Sequence, residues 1–462
     1  MKLVKRFADY AGGLTFTSLP PVVVHEVKRR VLDSVACAYG AMAAPPCKMA
    51  RRMATSISMK DGATVWGTHQ RTTPDLAAFA NGSFVRYLDF NDTYLSKEPA
   101  HPSDNIPACL SVAESVHATG KQLIEAILLA YEVQCRLCDA AALRSRGWDH
   151  VTYGAFSTAL GAAKLLKLSK DKTMHAMNLA GITSGALRQT RVGEVSLWKA
   201  CAFANSARNG IFAAYAAREG MTGPLAMFEG EKGFMKVISG SFSLSEFGGQ
   251  HDVPFKILDT YIKPRPLEYH AQTAVEAALK VRERIMAVHN NLNPSQIASI
   301  EVGSFDVAIE IIGRDPEKWR PQTRETADHS LPYCVAVALL DGTISPQSFS
   351  PKRIREKSLY DLIQKVEVRE VKEFTEAYPN SMPNNIQVKM IGGEEYSAVV
   401  EYPSGHPQRP LSDRELELKF HAIAVRKLER GKVLKLIDMV WTLETLKDVR
   451  ALIAAMPAVS GR

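Results

Sequence analysis

Apolar residues recur at three- and four-residue steps through residues 20–246 of this chain. The clearest stripe runs along 22–42, through Val24, Val27, Val31, Val35 and Tyr39. This spacing places side chains on one face of an α-helix. Similar patterns predict helices over 121–143, 155–166, 172–186 and 199–218. Several of these stretches are rich in Ala and Gly all round, so we expect close helix–helix packing.

The pattern changes near Pro264. A predicted helix over 270–285 is followed by runs in which apolar and polar residues alternate, as in half-buried strands. Ile386, Val388 and Met390 alternate in this way, and a Gly-Gly pair separates them from a second run at 395–402. The alternation predicts an antiparallel sheet with further strands at 297–305 and 365–370. After residue 403 charged amphipathic helices return.

These patterns predict a mainly α protein with two domains. A large all-helical domain covers 1–266 and is completed by 404–462, which we expect to pack back on it. A smaller α+β lid domain with an antiparallel sheet covers 267–403. The chain has 462 residues and is 46% hydrophobic, which is enough for two sizeable cores.

Composition excludes several classes of protein. The net charge of +8 is spread along the chain without a Lys/Arg run, which argues against nucleic-acid binding and is consistent with an anionic substrate. No apolar window has the length of a membrane span or signal peptide. The seven cysteines lie mostly in apolar helical stretches and indicate reduced thiols in the cytoplasm. Cys135 and Cys138 form a mid-helix CxxC that favours core packing over metal binding.

The stretch 86–114 holds the densest group of candidate catalytic side chains. Asp89, Asp92, Thr93 and His101 lie on irregular backbone just before an apolar helix. Ionisable groups on irregular backbone can face a cavity, as acid–base chemistry requires. Ser103 or Asp104 could alternatively cap the following helix, and a single histidine is often structural. The group as a whole favours a site.

Four other stretches combine ionisable residues with helix breakers. His150 lies between two predicted helices, where a buried structural histidine is the alternative. Lys199 opens a helix, where a cation is unfavourable unless an anion binds beside it, and an exposed lysine is the alternative. Lys263 and Arg265 lie at the predicted domain junction, where the adjacent prolines would stiffen a carboxylate clamp. An ordinary linker with solvated charges is the alternative. Asp328, His329 and Ser330 precede a helix carrying Tyr333, and capping by Asp328 or Ser330 is the alternative.

Neither a nucleotide cofactor nor a metal is predicted. No GxGxxG motif follows a strand, and GEKGF at 230–234 lacks the glycines and the GK[ST] of a phosphate loop. Asp89, Asp92 and His101 could in principle hold a divalent cation, but their spacing matches no standard site.

Five motifs in this order resemble the MmgE/PrpD family, which includes 2-methylcitrate dehydratases, cis-aconitate decarboxylase and iminodisuccinate epimerase. They are LDSVACAYGA at 32–41, the block LDFNDTYLSKEPAHPSDNIPACLSVAE at 88–114, SLWKACAFANSARNG at 196–210, KPRPLEYHAQTAVEAA at 263–278 and HSLPYCVAVALLDG at 329–342. The HPSDN wording is more similar to the 2-methylcitrate dehydratase branch. The resemblance implies a helical domain with an inserted α+β domain, a homodimer, and a small di- or tricarboxylate substrate.

The resemblance also implies a set of active-site positions. They are Asp89, Thr93, His101, His150, Lys199, Lys263 and Tyr333. Arg265 stands where the family often has KPYP wording and could alter which carboxylates are accepted. The implied activity is metal-independent elimination of water.

The chemistry assigns roles to these residues as a hypothesis. Lys199, Lys263 and Arg265 would hold substrate carboxylates, because charge builds on them when a neighbouring proton leaves. His101 and His150 would transfer protons, in either order, with Asp89 orienting one imidazole. Thr93 and Tyr333 would hydrogen-bond the substrate or assist departure of its hydroxyl. Decarboxylation of cis-aconitate, epimerisation of an aminodicarboxylate, a metal-dependent lyase and a catalytically silent carboxylate-binding protein stay open.

Overall fold

The structure is a computed structural model that describes residues 2–193, 195–289, 291–424 and 428–458. The helices of the first part are α1 Lys2–Gly13, α2 Pro21–Ala41, α3 Pro45–Thr55, α4 Pro74–Tyr87, α5 Ile106–Ser115, α6 Gly120–Ala140, α7 Thr152–Leu165, α8 Lys170–Thr183 and α9 Ala202–Arg218. A two-stranded ribbon pairs β1 Ala63–Thr64 with β2 Arg71–Thr72. Helices α18 Asp413–Ala424, α19 Arg430–Trp441 and α20 Arg450–Ala455 close the described chain. We call these elements the helical domain.

The residues between them form a mixed α+β unit that we call the lid domain. Its helices are α10 Gln272–His289, α11 Asp306–Ala308, α12 Pro316–Trp319, α13 Arg324–Ala327, α14 Leu331–Asp341, α15 Pro351–Ile354, α16 Lys357–Ile363 and α17 Lys372–Ala377. Its strands are β3 Ile297–Ser304, β4 Val366–Glu370, β5 Asn384–Met390 and β6 Glu395–Val400. The mainly α architecture with a smaller α+β part confirms the predicted fold class.

Local sequence explains where the main helices begin and how closely they pack. Pro21 and Pro74 lie in the first turns of α2 and α4, where a missing N–H leaves no bond unmade. A reciprocal capping box between Thr119 and Gln122 starts α6. A Cβ on Gly210 of α9 would lie 2.6 Å from the Ala155 carbonyl oxygen of α7. The two helices therefore approach as closely as the Ala- and Gly-rich sequence predicts.

Apolar side chains form two clusters. The first contains residues from 3 to 262 and from 411 to 456, and it includes the whole predicted stripe of α2. The second contains residues from 261 to 400, together with Leu95. Helices α18 and α19 pack on α2, as expected. The boundaries 1–266, 267–403 and 404–462 remain a proposal, which this division supports.

The lid sheet has the order β4-β3-β5-β6. Strands β5 and β6 form the predicted antiparallel hairpin, and β3 also pairs antiparallel with β5. The prediction of a purely antiparallel sheet is wrong for β3 and β4, which pair in parallel. A parallel partner requires a long crossover, and helices α11 to α16 supply it between these strands. In the part of the chain that the structure describes, no helix combines the length and apolar character needed to cross a membrane.

Candidate active site

A cavity between the helical and lid domains contains six of the eight predicted site residues. Asp89, Thr93, His101, His150, Lys199 and Lys263 all line it. Its remaining lining residues are Arg86, Leu95, Pro99, Arg144, Arg188, Arg191, Val195, Glu268, Tyr269, His270, Ile311, Lys318 and His329. Among the described residues, seven lysines and arginines therefore face two acidic side chains, which makes the cavity suitable for an anion.

Asp89 follows directly after α4 and lies at the centre of the inner wall. Its backbone φ is 50°, a left-handed conformation that asparagine and aspartate tolerate better than most residues. One carboxylate oxygen accepts hydrogen bonds from Arg86 at 2.8 Å and from Lys263 at 2.6 Å. The other accepts one from Lys199 at 3.3 Å. Asp89 thus gathers three cations from different parts of the chain.

These cations control the charge state of Asp89. Burial alone would raise the pKa of its carboxyl, but the positive charges of Arg86, Lys263 and Lys199 outweigh burial and hold the pKa well below its usual value. An antiparallel bridge between Thr93 and Tyr261 brings the chain before Lys263 alongside this wall. We call Asp89 with its three cations the Asp89 cluster.

Lys199 is buried, so the alternative of an exposed lysine is wrong. It lies in a short 3-10 turn, Leu197–Ala200, where the neighbouring Trp198 is 46% exposed. Its ammonium group donates to Asp89 and to Asp328, both at 3.3 Å, and lies 3.1 Å from Nδ1 of His329. The anions that compensate this lysine are therefore carboxylates of the protein itself.

Asp89, Asp328 and His329 offer three donor atoms within 4.8 Å of one another, close enough to surround a metal ion. The ammonium of Lys199 lies within 3.3 Å of a donor atom of each of them. Because a cation already occupies the centre of this donor set, the residues present do not fit a metal.

The bonds of His101 define its tautomer. Its Nδ1 lies 2.7 Å from the carbonyl oxygen of Asp92, which can only accept, so Nδ1 carries the proton. Its Nε2 lies 2.9 Å from Nη2 of Arg86 and accepts from that guanidinium. Burial, then the charges of Arg86 and Lys263, lower the pKa of His101 well below its usual value. His101 is therefore neutral and bonded at both nitrogens.

His150 differs because one of its nitrogens is free. Nδ1 donates to Asp149 at 3.0 Å, and Asp149 in turn accepts from Arg191 at 2.8 Å. Nε2 is buried and has no hydrogen-bond partner in the part of the chain that the structure describes. Burial outweighs the nearby Asp149 and lowers the pKa of His150 to about 4. The rings of His101 and His150 lie 5.9 Å apart, so both can reach one small ligand.

The structure corrects the predicted role of Asp89. Asp89 does not orient His101 or His150; its imidazole neighbour is His329, at 3.5 Å. The carboxylate that orients His150 is Asp149, the preceding residue. Three cations already surround Asp89, so its carboxylate makes no contact with either predicted proton-transfer histidine.

Two predicted residues do not reach the cavity. The chain bends over 264–267, so Lys263 contacts Asp89 whereas the charge of Arg265 interacts with Glu276 and Arg409. Tyr333 lies in the lid core, where its hydroxyl donates to the Ser348 carbonyl oxygen at 2.6 Å. The direct substrate contacts predicted for Arg265 and Tyr333 are not supported by these positions.

Of the helix-capping alternatives, the structure supports the one at Ser330 and contradicts those at Ser103 and Asp104. Ser330 does cap α14, because its side chain accepts from the Tyr333 backbone N–H. Neither Ser103 nor Asp104 caps α5 or the short turn before it. Instead, the Ser103 backbone N–H donates to the carboxylate of Asp92, at 2.9 Å.

Sequence reasoning missed several cavity residues. Arg86 lies one helical turn before Asp89, and Asp149 lies next to His150, so both were detectable from adjacency. His329 was a candidate from the HSLPY motif, but nothing in that motif favoured it over Tyr333 as the residue that faces the cavity. Arg144, the turn that holds Arg188 and Arg191, and Lys318 stand in three separate stretches, and only the fold brings them together.

Two domains that enclose a cationic cavity with buried neutral imidazoles define a protein that binds a small anion and can move protons on it. Two family models match the chain: the MmgE/PrpD N-terminal domain over residues 5–246 and the MmgE/PrpD C-terminal domain over 266–445. The chain belongs to the MmgE/PrpD family.

Curated relatives cover nearly the whole chain. It is 29% identical to a 2-methylcitrate dehydratase of Salmonella typhimurium over 87% of this chain and 85% of that protein. It is 28% identical to a 2-methylcitrate dehydratase of Cupriavidus necator, over 82% of this chain and 81% of that protein. It is also 28% identical to the human cis-aconitate decarboxylase, over 97% of this chain and 93% of that protein.

Proposed function

We propose that this protein is a hydro-lyase that removes water from a small tricarboxylate such as 2-methylcitrate, without a metal. Two carboxylates, Asp149 and Asp328, stand behind the lining, bonded to Arg191 and Lys199. Among the described residues, the cations that line the cavity still outnumber the carboxylates that line it. This excess of positive charge suits a polycarboxylate, and the curated dehydratases support the choice of reaction.

The free nitrogen of His150 is the observation on which the reaction type depends. Among the described residues, four histidines line the cavity. His101 and His270 have hydrogen-bond partners at both ring nitrogens, and His329 lies between Lys199, Asp328 and Asp89. Of these four rings, only that of His150 has a buried nitrogen, Nε2, without a partner, and the neutral imidazole is ready to accept a proton. We therefore assign His150 as the general base.

The elimination balances with two histidines. His150 Nε2 takes a proton from the carbon next to a substrate carboxylate, and the electron pair left on carbon forms the C=C bond. The C–O bond to the hydroxyl breaks as that double bond forms. His101, protonated at Nε2, gives its proton to the departing hydroxyl, which leaves as water. Proton exchange with solvent then restores both rings.

His101 needs the substrate to act as an acid. In the structure its Nε2 accepts from Arg86, so protonation requires this hydrogen bond to break. A bound polycarboxylate favours the imidazolium form through its negative charge. It also gives the Arg86 guanidinium a carboxylate to bind instead. His101→Gln is expected to reduce turnover on the order of 10²-fold or more.

A substrate panel tests the proposal. Purified protein is incubated with 2-methylcitrate, citrate and cis-aconitate, and mass spectrometry follows loss of water against loss of CO₂. Loss of water from a hydroxy acid, undiminished by a chelator, is the expected result. Binding of these acids without any product identifies a silent binding protein and contradicts the proposal.

Decarboxylation of cis-aconitate is the second candidate, because the human decarboxylase matches 97% of this chain. The same cationic cavity could stabilise the carbanion that loss of CO₂ leaves. Release of CO₂ from cis-aconitate, without water loss from either hydroxy acid, would assign this activity. Deuterium uptake from D₂O by an aminodicarboxylate, without any other change in mass, would instead indicate an epimerase. Homodimeric assembly and a cytoplasmic location stay predictions.

A further inference from the structure

The cations of the cavity fall into two groups. Four are paired with carboxylates of the protein: Arg86, Lys199 and Lys263 through the Asp89 cluster, and Arg191 through Asp149. Within the described residues, the side chains of Arg144, Arg188 and Lys318 make no hydrogen bond or ion pair. The positive charge that a ligand can use is therefore concentrated at these three side chains.

Arg144 and Arg188 are held next to each other by the backbone. Trp148 and Leu187 form an antiparallel bridge, and the Arg188 N–H donates to the Gly147 carbonyl oxygen at 2.9 Å. Burial and the charge of Arg191 lower the pKa of Arg188, and the nearby carboxylates of Asp149 and Glu98 only partly offset them. Asp149 is bonded to His150 and Arg191, and Glu98 accepts from the backbone N–H groups of Leu143 and Arg144. Neither carboxylate forms an ion pair with the Arg144 or Arg188 side chain, so a bound anion would relieve the repulsion between the two guanidiniums. We call Arg144 and Arg188 the rim arginines.

The rim arginines adjoin the proposed base. The bridge that holds Arg188 continues into Asp149, whose backbone N–H donates to the Ala186 carbonyl oxygen at 2.8 Å. Asp149 also orients His150. A carboxylate bound at the rim arginines would therefore lie on the side of the cavity where His150 presents its free nitrogen. Lys318 lies on the lid domain, near Lys199 and the carboxylates of Asp315, Asp328 and Glu268, but forms no ion pair with these carboxylates.

We propose that the rim arginines form a carboxylate-binding subsite that lets this protein select a tricarboxylate over a dicarboxylate, with Lys318 binding a further carboxylate from the lid domain. This inference deepens the proposed function, on which it rests for the class of substrate. It differs from the expectation that Lys199, Lys263 and Arg265 hold the carboxylates, because the charges of the two lysines are already matched by Asp89 and Asp328.

Two inert acids test the subsite by binding alone. Tricarballylate (propane-1,2,3-tricarboxylate) and glutarate have the same carbon backbone and differ by the central carboxylate, and neither has a hydroxyl to lose. Calorimetry at low ionic strength is expected to show tighter binding of tricarballylate to the wild-type protein. In an Arg144→Gln, Arg188→Gln double variant, binding of tricarballylate should weaken about 10- to 100-fold, the size expected for lost charge-assisted bonds. The preference over glutarate should shrink with it.

Arg146→Gln is the matched control, because Arg146 lies in the same turn as Arg144, is exposed, and forms no ion pair with a carboxylate of the described residues. It removes the same charge from the same segment and should leave both affinities within about twofold. Circular dichroism and the melting temperature confirm that each variant is folded. Arg188→Lys should restore part of the lost affinity, since it returns the charge without the planar fork.

The outcomes separate this inference from the proposed function. If the wild type does not bind tricarballylate, or the folded double variant binds it as tightly as the Arg146→Gln control, the subsite does not exist. If the rim arginines determine tricarballylate binding but no hydroxy acid loses water, the subsite stands and the hydro-lyase proposal fails.

Discussion

The inner wall of the cavity and its rim both carry several cations, but they differ in how those charges are compensated. In the Asp89 cluster, three buried cations surround one carboxylate at 2.6 to 3.3 Å. At the rim, Arg144 and Arg188 are half-buried and have no carboxylate partner within the described residues. Matched charges hold a structure in place, whereas unmatched ones can bind a ligand. The wall therefore positions the site and the rim receives the substrate.

The two histidines repeat this contrast. Arg86 and the Asp92 carbonyl oxygen bond both nitrogens of His101, as part of the wall. His150 keeps one nitrogen free beside the rim. Substitutions should therefore have different effects at groups whose charge or hydrogen bonds are matched by the protein and at groups that are left unmatched.

The largest expected effect is that of His150→Gln on turnover. Removing the general base should lower kcat on the order of 10²- to 10⁴-fold. Tricarboxylate affinity should remain within a few-fold of the wild type, because the rim arginines are intact. Steady-state kinetics and calorimetry measure the two quantities. His69→Gln, at an exposed histidine, is the control. Near-normal kcat in the His150 variant would remove this residue from the reaction.

Asp89→Asn should have the largest effect on stability. The substitution keeps the shape of the side chain but leaves Arg86, Lys199 and Lys263 around a neutral group. Leaving buried charges uncompensated costs on the order of 3–5 kcal/mol in the free energy of unfolding. Urea denaturation measures it. Asp361→Asn breaks an exposed pair with Lys357 and should cost less than about 1 kcal/mol. Equal losses in the free energy of unfolding in the two variants would contradict the proposal that Asp89 compensates buried charges.

Acid should destabilise the wild-type protein through His150. Burial holds the pKa of His150 at about 4 in the folded protein, below its usual value of 6.5. Between these values the unfolded chain binds a proton that the folded chain does not, so stability falls as the pH drops from 6.5 towards 4. The loss, relative to His150→Gln, should be on the order of 3 kcal/mol.

The comparison with His150→Gln is needed because other groups titrate in the same range with the opposite sign. Burial raises the pKa of Asp104 to about 7, so its contribution to stability is lost as the pH rises through that value. This contribution is common to both proteins and cancels in the difference. Urea unfolding at several pH values measures both curves, and parallel curves would mean that His150 is already charged when folded.

Periodicity in the sequence was sufficient to predict the helical domain. The stripe of α2 is buried from Val24 to Tyr39, because spacing along one helix is a local property. The parallel pairing of β3 with β4 is non-local and was missed. The same distinction applies to the site. Asp89, Thr93 and His101 of the predicted group line the cavity, whereas Asp92 does not and instead accepts from the hydroxyl of Tyr131. Asp89 takes Lys199 and Lys263 as partners from remote segments, which only the fold brings together.

The effect of a substitution within a motif also depends on which way the side chain faces, and the sequence alone does not show this direction. Tyr333 and His329 stand four residues apart in one motif, yet only His329 faces the cavity. Tyr333 begins α14 and faces the lid core beside Phe349. A Tyr333→Phe variant removes a hydroxyl that donates to a backbone carbonyl in this core. The structure therefore predicts that this variant lowers the free energy of unfolding more than it lowers turnover.

The smallest expected effect on turnover is that of substituting Thr93, which lines the cavity and also contacts His101. Its hydroxyl lies 3.2 Å from Nδ1 of His101, but the Nδ1 proton is already directed to the Asp92 carbonyl oxygen at 2.7 Å. Thr93→Val should therefore lower kcat less than about tenfold if Thr93 only supports His101. If its hydroxyl also binds the substrate, KM for a tricarboxylate should rise while Thr93→Ser stays near the wild type. A loss as large as that of His150→Gln would place Thr93 among the groups that react.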